Sequence, residues 1–226
     1  MCSRYSLTSP PEAVRAYFKY RNEAEFPARY NIAPSQPVAI VRPDAKGERE
    51  LALVRWGLIP SWVKDPREFA TLINARGETV VEKPSFRGAM RHRRCLIPAD
   101  GFYEWTGETG HKQPYLIRPK SGGLMAFAGL WEHWLGADGS EIDTMAIITT
   151  AANRTMRSLH DRMPVILAPE QFELWLDVKG VAAKDAAMFL QPAPDTLLEA
   201  KAVSKAVGNP RNEGPVLWQP VGAGGS

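Results

Sequence analysis

The sequence predicts a single α+β domain built on a curved, largely antiparallel β-sheet, partly barrel-like, with flanking helices. Three observations support this prediction. The chain has 226 residues, of which 44% are hydrophobic, which is enough for one large core. Short apolar stretches alternate with turn-rich segments such as TGETGHKQP and PKSGG. Helical patterns interrupt these stretches irregularly, which argues against a doubly wound parallel sheet.

The first predicted element is an amphipathic helix over residues 10–21. The segment SPPE at 9–12 has the S-x-x-E spacing of a helix start, and Val14 and Phe18 follow at helical spacing. Weaker helical patterns cover residues 84–92, 169–178 and 184–190.

The predicted strands are short runs rich in β-branched and aromatic residues. They are VAIV at 38–41, LALVRW at 51–56, CLIP at 95–98, GFYEW at 101–105, YLI at 115–117, LMAFAGLW at 124–131, TMAIITT at 144–150 and PVIL at 164–167. We expect one domain over residues 1–220 and a flexible tail over 221–226.

Composition excludes several classes of protein. The 18 Gly and 19 Pro follow no Gly-X-Y period, so a collagen-like chain is excluded. No apolar run is long enough to cross a membrane, and the opening MCSRYSLTSPPE lacks the features of a signal peptide. These features predict a cytoplasmic protein.

Cysteine and histidine spacing gives no reason to expect a metal or cofactor. The two Cys form no CxxC pair, the four His show neither H-x₃-H nor HExxH spacing, and no phosphate-binding Gly-rich loop is present. The net charge of +3 is too small to indicate nucleic-acid binding by itself.

Cys2 follows the initiator methionine, and a residue this small in second place normally permits removal of that methionine. We therefore expect Cys2 to become the N-terminal residue, with an amine and a thiol that are both partly nucleophilic near neutral pH. With an aldehyde, the amine can form an imine and the thiol can close a five-membered thiazolidine. Alternatively, the thiol attacks an amide with the amine as its base, or the residue is incidental in a frayed terminus.

Three further residues are candidates for proton transfer or orientation. Glu104 lies in the aromatic segment GFYEW, where burial would raise the pKa of its carboxyl; a salt bridge to an arginine fits the pattern equally well. His160, in LHDRMP, is a usable acid or base or a structural histidine. Asn74, in LINARGET, can orient a nucleophile or cap a turn.

Aromatic and basic residues indicate a surface for unpaired nucleic acid. Trp56, Trp62 and Trp105 lie near Gly, Pro and Arg in loop-like sequence, where exposed rings can stack on bases, although core packing is the default for a single Trp. Arginines close in sequence to the candidate catalytic residues are suited to phosphate contacts. These arginines are Arg4, Arg76, Arg87 and Arg162.

Seven segments occur in the order seen in one protein family: MCSRY, RYNIAPSQ, VRWGLIP, LINARGET, IPADGFYEW, HDRMPVIL and VSKAVGNPRN. Through these segments the chain resembles the SOS-response-associated peptidase family over about residues 2–219. The resemblance implies a protein that crosslinks itself through Cys2 to an abasic site in single-stranded DNA, forming a thiazolidine that shields the lesion. It also implies autoproteolytic, peptidase-type removal of Met1 and a lyase-type activity.

The resemblance implies residue roles as well. Cys2 would be the nucleophile, Asn74 would hold its amine, Glu104 would be the acid/base for the amine, and His160 would help to open the sugar ring and to reverse the link. The DNA-binding residues implied in the same way are Arg4, Trp62, Arg76, Arg87, Trp105, Thr149 and Arg162.

The sequence departs from the family pattern at two positions. Ser3 stands where many bacterial members have Gly, so the turn after the nucleophile must adopt ordinary backbone angles. Val63 follows Trp62 where the family often has a second Trp, which predicts a weaker wedge between bases.

Two other classes of function are consistent with the residues. One is an N-terminal-nucleophile cysteine hydrolase acting on small amides or peptides, with the free amine as general base for Cys2. The other is a noncovalent single-strand-binding module that uses Trp and Arg alone. For the covalent reading, the expected partner of a monomeric protein is single-stranded DNA containing abasic sites.

Overall fold

The computed structural model describes residues 2–108 and 110–221; Met1, Thr109 and most of the predicted tail, 222–226, lie outside the described residues. The strands are β1 (Tyr5–Leu7), β2 (Arg29–Ile32), β3 (Pro37–Pro43), β4 (Arg49–Trp56), β5 (Asn74–Arg76), β6 (Arg94–Ala99), β7 (Gly101–Thr106), β8 (Gln113–Pro119), β9 (Met125–Leu135), β10 (Glu141–Ala151), β11 (Arg162–Pro164), β12 (Ile166–Leu167) and β13 (Leu198–Ala202). The α-helices are α1 (Pro11–Phe18), α2 (Arg87–His92), α3 (Arg154–Arg157), α4 (Phe172–Leu176) and α5 (Ala183–Ala186). Short 3₁₀ helices cover Pro169–Gln171, Ala187–Phe189, Lys205–Gly208 and Pro215–Trp218.

Five strands close into a barrel. Starting from β10, the hydrogen-bonded order is β4, β3, β6 and β9, and β9 pairs with β10 again. All of these pairs are antiparallel except β4 with β10. Because a closed barrel of this size is filled by side chains, it forms the main core. All six residues of β6 are buried, and α4 covers its outer face, where Trp175 donates a hydrogen bond to the Cys95 carbonyl.

A second, five-stranded antiparallel sheet has the order β13-β8-β7-β1-β2. Only Asp100 separates β6 of the barrel from β7 of this sheet. The Asp100 carboxylate accepts hydrogen bonds from Ser6, Thr8 and Ser9, which fixes the end of β1 beside the same junction. The N-terminal strand is therefore anchored where the two sheets meet.

The predicted α+β class and the largely antiparallel sheet are confirmed, and every predicted strand segment overlaps an observed strand. The helix predicted at 10–21 is shorter. Its predicted cap is wrong because the Ser9 side chain bonds to Asp100 and Pro10 precedes the first turn without a side-chain cap. The helix ends after Phe18, where Lys19 adopts a left-handed conformation with φ of 56°.

The predicted strand PVIL is divided into two. β11 pairs with β10, whereas β12 pairs with β9. Val165 lies between them; its N–H donates to Ile148 on β10 and its carbonyl accepts from Ala128 on β9. The chain thus changes partners at Val165. Within the described ranges, no helix is long and apolar enough to span a membrane.

Candidate active site

Strand pairing brings the start of the chain alongside Glu104. In the antiparallel pair of β1 and β7, Tyr5 lies opposite Phe102, and one residue further the Tyr103 N–H donates to the Arg4 carbonyl at 3.0 Å. Since the two strands run in opposite directions, the residues before Arg4 continue past Tyr103 towards Glu104. Cys2 is completely buried there, with its thiol 3.9 Å from the Arg4 carbonyl.

Asn74 reaches the same segment from the barrel. It begins β5, which is held against β10 by parallel pairing of Asn74 with Ile147. Its Nδ2 donates a hydrogen bond of 2.9 Å to the Cys2 carbonyl. Its Oδ1 is buried and accepts no hydrogen bond from the described residues. The side chain thus fixes the Cys2 backbone and retains one acceptor.

Glu104 is 4% exposed, and its burial raises the pKa of its carboxyl; a positive charge on His160, when present, opposes this shift. The burial expected for Glu104 in this aromatic segment is confirmed, and its strand β7 lies inside its sheet between β1 and β8. A carboxyl of this kind exchanges protons closer to neutral pH than an exposed one.

The Cys2 thiol is neutral as the structure holds it. Burial is the main cause that raises the pKa of this thiol, and the nearby Glu104 carboxylate raises it further. Because the thiolate is the nucleophilic form, the sulfur needs a proton acceptor when it reacts. Glu104 is the nearby group able to take that proton.

His160 lies in the short turn between α3 and β11. The backbone N–H of His160 donates to the Met156 carbonyl, and the backbone N–H of Arg162 donates to the ring Nδ1 of His160 at 2.9 Å. The Asp161 carboxylate also lies 2.8 Å from Nδ1 and would favour a proton there, but this side chain is 87% exposed. Because the Arg162 N–H donates to Nδ1, a neutral imidazole here carries its proton on Nε2.

Arg4 is held by the protein itself. One guanidinium nitrogen donates to Asn31 Oδ1 at 2.8 Å and to the Val207 carbonyl at 2.7 Å. The guanidinium also lies 5.7 Å from the centre of the Trp105 ring, and burial lowers its pKa. Arg4 therefore contributes a fixed positive charge beside the start of the chain.

The Arg162 side chain is also bound by other residues of the protein. Its guanidinium makes a bidentate ion pair with Glu78, at 2.6 and 2.9 Å, and donates to the Thr149 carbonyl and hydroxyl at 2.7 and 3.2 Å. Thr149 is buried and lies opposite Arg76 in the pairing of β10 with β5. Arg162, Thr149 and Arg76 are thus adjacent at one edge of the barrel.

The remaining expected DNA-binding residues differ in exposure. Arg76 and Arg87 are exposed, Trp105 is half-buried, and Trp62 is 58% exposed, with its ring edge-on to Phe69. For Trp56, the alternative of an exposed stacking residue in a loop is wrong, and the default of core packing is confirmed. Trp56 ends β4, is completely buried, and donates to the Ile73 carbonyl at 2.9 Å.

Sequence reasoning missed two residues of this site. Asn31 is completely buried, and its Nδ2 donates to the carbonyls of Val207, Asn209 and Asn212 while its Oδ1 accepts from Arg4. Its position in RYNIAPSQ was the available signal. Glu78, in LINARGET, gave no signal because its ion-pair partner lies 84 residues away.

Among the described residues, no group of three or more His, Cys, Asp or Glu side chains is arranged to hold a metal ion. The reactive side chains that the site brings together are a buried thiol, an amide, a carboxyl with a raised pKa and an imidazole. Together they are suited to covalent reaction of Cys2 with an electrophilic carbon.

The fold and the site define a class of protein: a closed barrel with a buried cysteine, the second residue of the chain, beside an amide and a carboxyl with a raised pKa. The chain belongs to the SOS response associated peptidase (SRAP) family, whose model matches residues 1–210.

Relatives and solved structures match nearly the whole chain. The abasic site processing protein YoqW of Bacillus subtilis (strain 168) is 42% identical, covering 96% of this chain and 98% of its own. The abasic site processing protein HMCES of Xenopus tropicalis is 33% identical, covering 95% and 77%. A crystal structure of a protein from Bacteroides thetaiotaomicron superposes with a TM-score of 0.86 at 27% identity, covering 97% of this chain and 100% of that one.

Proposed function

We propose that this protein, once Met1 is removed, links itself covalently through Cys2 to abasic sites in single-stranded DNA and thereby shields the lesion. The observation that carries the proposal is the convergence of Cys2, Asn74, Glu104 and His160, from four separate segments, on one site. The relatives named abasic site processing proteins support the same function.

The proposed link forms in two bond-making steps. The Cys2 amine adds to the aldehyde carbon of the opened sugar, and loss of one water gives a protonated imine. The Cys2 sulfur then adds to the imine carbon and gives up its proton. The product is a thiazolidine, and the net by-product is one water.

Both steps require proton transfers, and Glu104 is suited to them. The departing hydroxyl needs a proton, which a carboxyl with a raised pKa still carries closer to neutral pH. The thiol, whose pKa burial also raises, must then lose its proton. The proximity of Glu104 to Cys2 supports one carboxyl serving first as acid and then as base.

Asn74 supplies orientation. Its Nδ2 already holds the Cys2 carbonyl, and its buried Oδ1 is an acceptor suited to an N–H of the freed amine. An amine held in this way directs its lone pair towards the incoming carbon.

His160 acts before the link forms. An abasic sugar exists mainly as a closed hemiacetal, so a proton must be moved to release the aldehyde. With Nδ1 occupied by the Arg162 N–H, the ring presents Nε2 as the exchanging nitrogen. The same proton transfer, run backwards, assists reversal of the link.

The DNA strand would be bound by the basic and aromatic surface around this site. Arg76 and Arg87 are exposed and suited to backbone phosphates, and the exposed Trp62 ring is suited to stacking on a base. These contacts carry no sequence information, which fits a protein that responds to a missing base.

The experiment is a denaturing gel of the protein with a single strand that contains one abasic site. We expect a retarded band from the processed protein and none from Cys2→Ser, which keeps the amine but lacks the sulfur. A form with extra residues before Cys2 should also give no band, because its amine is blocked. Intact single-stranded DNA is the control for trapping without a lesion.

The proposal fails if the processed protein gives no band, or if Cys2→Ser gives a stable band of equal yield. Multiple turnover of an amide substrate without a band would favour the hydrolase interpretation instead. Binding that survives Cys2→Ala unchanged, with no covalent product from the native protein, would favour a noncovalent module.

A further inference from the structure

We propose that Glu78 competes with DNA phosphates for Arg162 and so weakens binding to undamaged single strands. This inference rests on the proposed function, and it assigns a specificity role to a residue that the proposed chemistry does not use. Glu78 lies two residues after the end of β5, next to Gly77, whose N–H donates to the Thr149 carbonyl, and its carboxylate meets Arg162 at the start of β11.

The geometry of the ion pair occupies the guanidinium. Both Glu78 oxygens accept from Arg162, at 2.6 and 2.9 Å, as two parallel hydrogen bonds. The guanidinium nitrogen that donates to Glu78 Oε2 also donates to the carbonyl and hydroxyl oxygens of Thr149. The two terminal nitrogens of Arg162, which would donate to a bidentate phosphate, are therefore already bound to a carboxylate.

Carboxylate and phosphate bind the guanidinium fork in the same manner. A backbone phosphate can bind these two nitrogens of Arg162 only after Glu78 has moved away. Glu78 is free to do so, because its side chain is 50% exposed whereas that of Arg162 is 14% exposed. The fixed member of the pair is the cation and the movable member is the anion.

Glu78 also influences a second arginine of the same surface. Arg76 lies close enough for its charge to help hold the pKa of the Glu78 carboxyl below its ordinary value, behind the larger effect of Arg162. The carboxylate thus stays ionised at neutral pH and neutralises part of the charge that Arg76 and Arg162 would present to a strand.

The consequence is selectivity. Glu78 weakens noncovalent binding to every strand, damaged or intact. At a lesion, the covalent link retains the strand once it has formed, whatever the noncovalent affinity. Intact strands dissociate sooner, while abasic strands are retained. Selectivity here arises from weakening the unwanted complex, a form of discrimination by repulsion.

The test uses full-length protein with the Cys2→Ala substitution, so that only noncovalent binding to an intact oligonucleotide is measured. Adding Glu78→Gln should tighten binding by about three- to tenfold at low salt. The slope of log affinity against log salt should steepen by about 0.7, the value for one added phosphate contact on a single strand. Melting temperature verifies that each variant is folded.

Glu82→Gln is the matched control. Glu82 is exposed, lies four residues further along the chain, and borders the same shallow depression as Arg76, whereas the bidentate partner of Arg162 is Glu78. We expect this substitution to change affinity by less than about twofold.

The inference is overturned if Glu78→Gln leaves affinity unchanged or weakens it, if Glu82→Gln has an equal effect, or if neither protein binds the intact strand. Crosslinking of wild-type protein to abasic DNA is scored separately. A wild-type protein that crosslinks while Glu78→Gln binds no tighter would refute this inference and leave the proposed function standing. Absence of wild-type crosslinking would refute the proposed function itself.

Discussion

The side-chain amide of Asn74 donates a 2.9 Å hydrogen bond to the backbone carbonyl of Cys2, across 72 residues of sequence. Through this contact β5, which pairs with the barrel strand β10, holds the residue that we propose as the nucleophile. The thiol and amine of Cys2 therefore take their orientation from the rigid barrel, although they belong to the first residues of the chain.

Asn74→Asp should slow crosslinking by about tenfold or more, because a carboxylate cannot donate to the Cys2 carbonyl and repels it at close range. The rate is measured as single-turnover band formation on abasic DNA. Asn74→Ala should be equally slow, and a folded Asn74→Asp protein with the wild-type rate would remove the amide donor from the account.

Glu104→Gln should slow crosslinking and stabilise the fold at neutral pH. Burial raises the pKa of Glu104 above its unfolded value of about 4.3, so the folded state keeps its proton while the unfolded state loses it as pH rises. Wild-type stability therefore falls with rising pH, from that value until the folded pKa is passed. Glu104→Gln has no carboxyl to titrate at this position, so its stability does not fall in this way as pH rises.

Melting temperatures measured between pH 4 and pH 8 test this prediction. The melting temperature of Glu104→Gln should not exceed that of the wild type at the acidic end, should rise above it as pH increases, and should then keep a constant lead. Each kcal/mol of added stability corresponds to about 2–4 °C. Glu132 is a second buried carboxyl with a raised pKa, paired with Arg93 outside the site. Glu132→Gln should leave the crosslinking rate unchanged, and equal slowing by both variants would contradict a specific role for Glu104.

His160→Ala should slow crosslinking by about 100-fold on ordinary abasic DNA, the low end for loss of a general acid or base. On DNA with a sugar analogue fixed in the open aldehyde form, the variant should match the wild type, because ring opening is bypassed. His133→Ala, which removes an exposed histidine paired with Asp143, is the control. Equal slowing on both DNAs would place His160 in a later step.

Asn31→Ala should lower the free energy of unfolding by about 1–3 kcal/mol, because it leaves buried carbonyls and one Arg4 donor unsatisfied. Asn22→Ala is the matched control, since Asn22 also bonds twice to the chain, at Leu51, but is exposed. Water can replace its bonds, so its loss should be smaller. Equal destabilisation in urea titrations would contradict the role of Asn31 as a buried connector.

The long apolar strands were predictable because burial requires apolar residues wherever the barrel forms. The strands β1 and β5 were not, since three-residue strands such as Asn74–Arg76 are defined by backbone pairing with distant partners. The break at Val165 had no sequence signal for the same reason, because it reflects a change of partner strand.

The candidate site was predicted from motifs, and its contacts were not. Burial of Glu104 followed from its aromatic neighbours, but the ion pair of Glu78 with Arg162 depends on tertiary geometry that spacing does not contain. For Trp56, the exposed alternative was wrong for a related reason. Its Gly and Pro neighbours are typical of a loop, whereas its ring lies in the core.

Intact-mass spectrometry of the protein, before and after incubation with abasic single-stranded DNA, is the decisive experiment for the proposed link. We expect a free protein that begins at Cys2, and an adduct whose mass is the sum of protein and DNA less one water, mapped to Cys2. An undiminished adduct on protein that retains Met1, or an adduct mapped to any other residue, would contradict the proposed link.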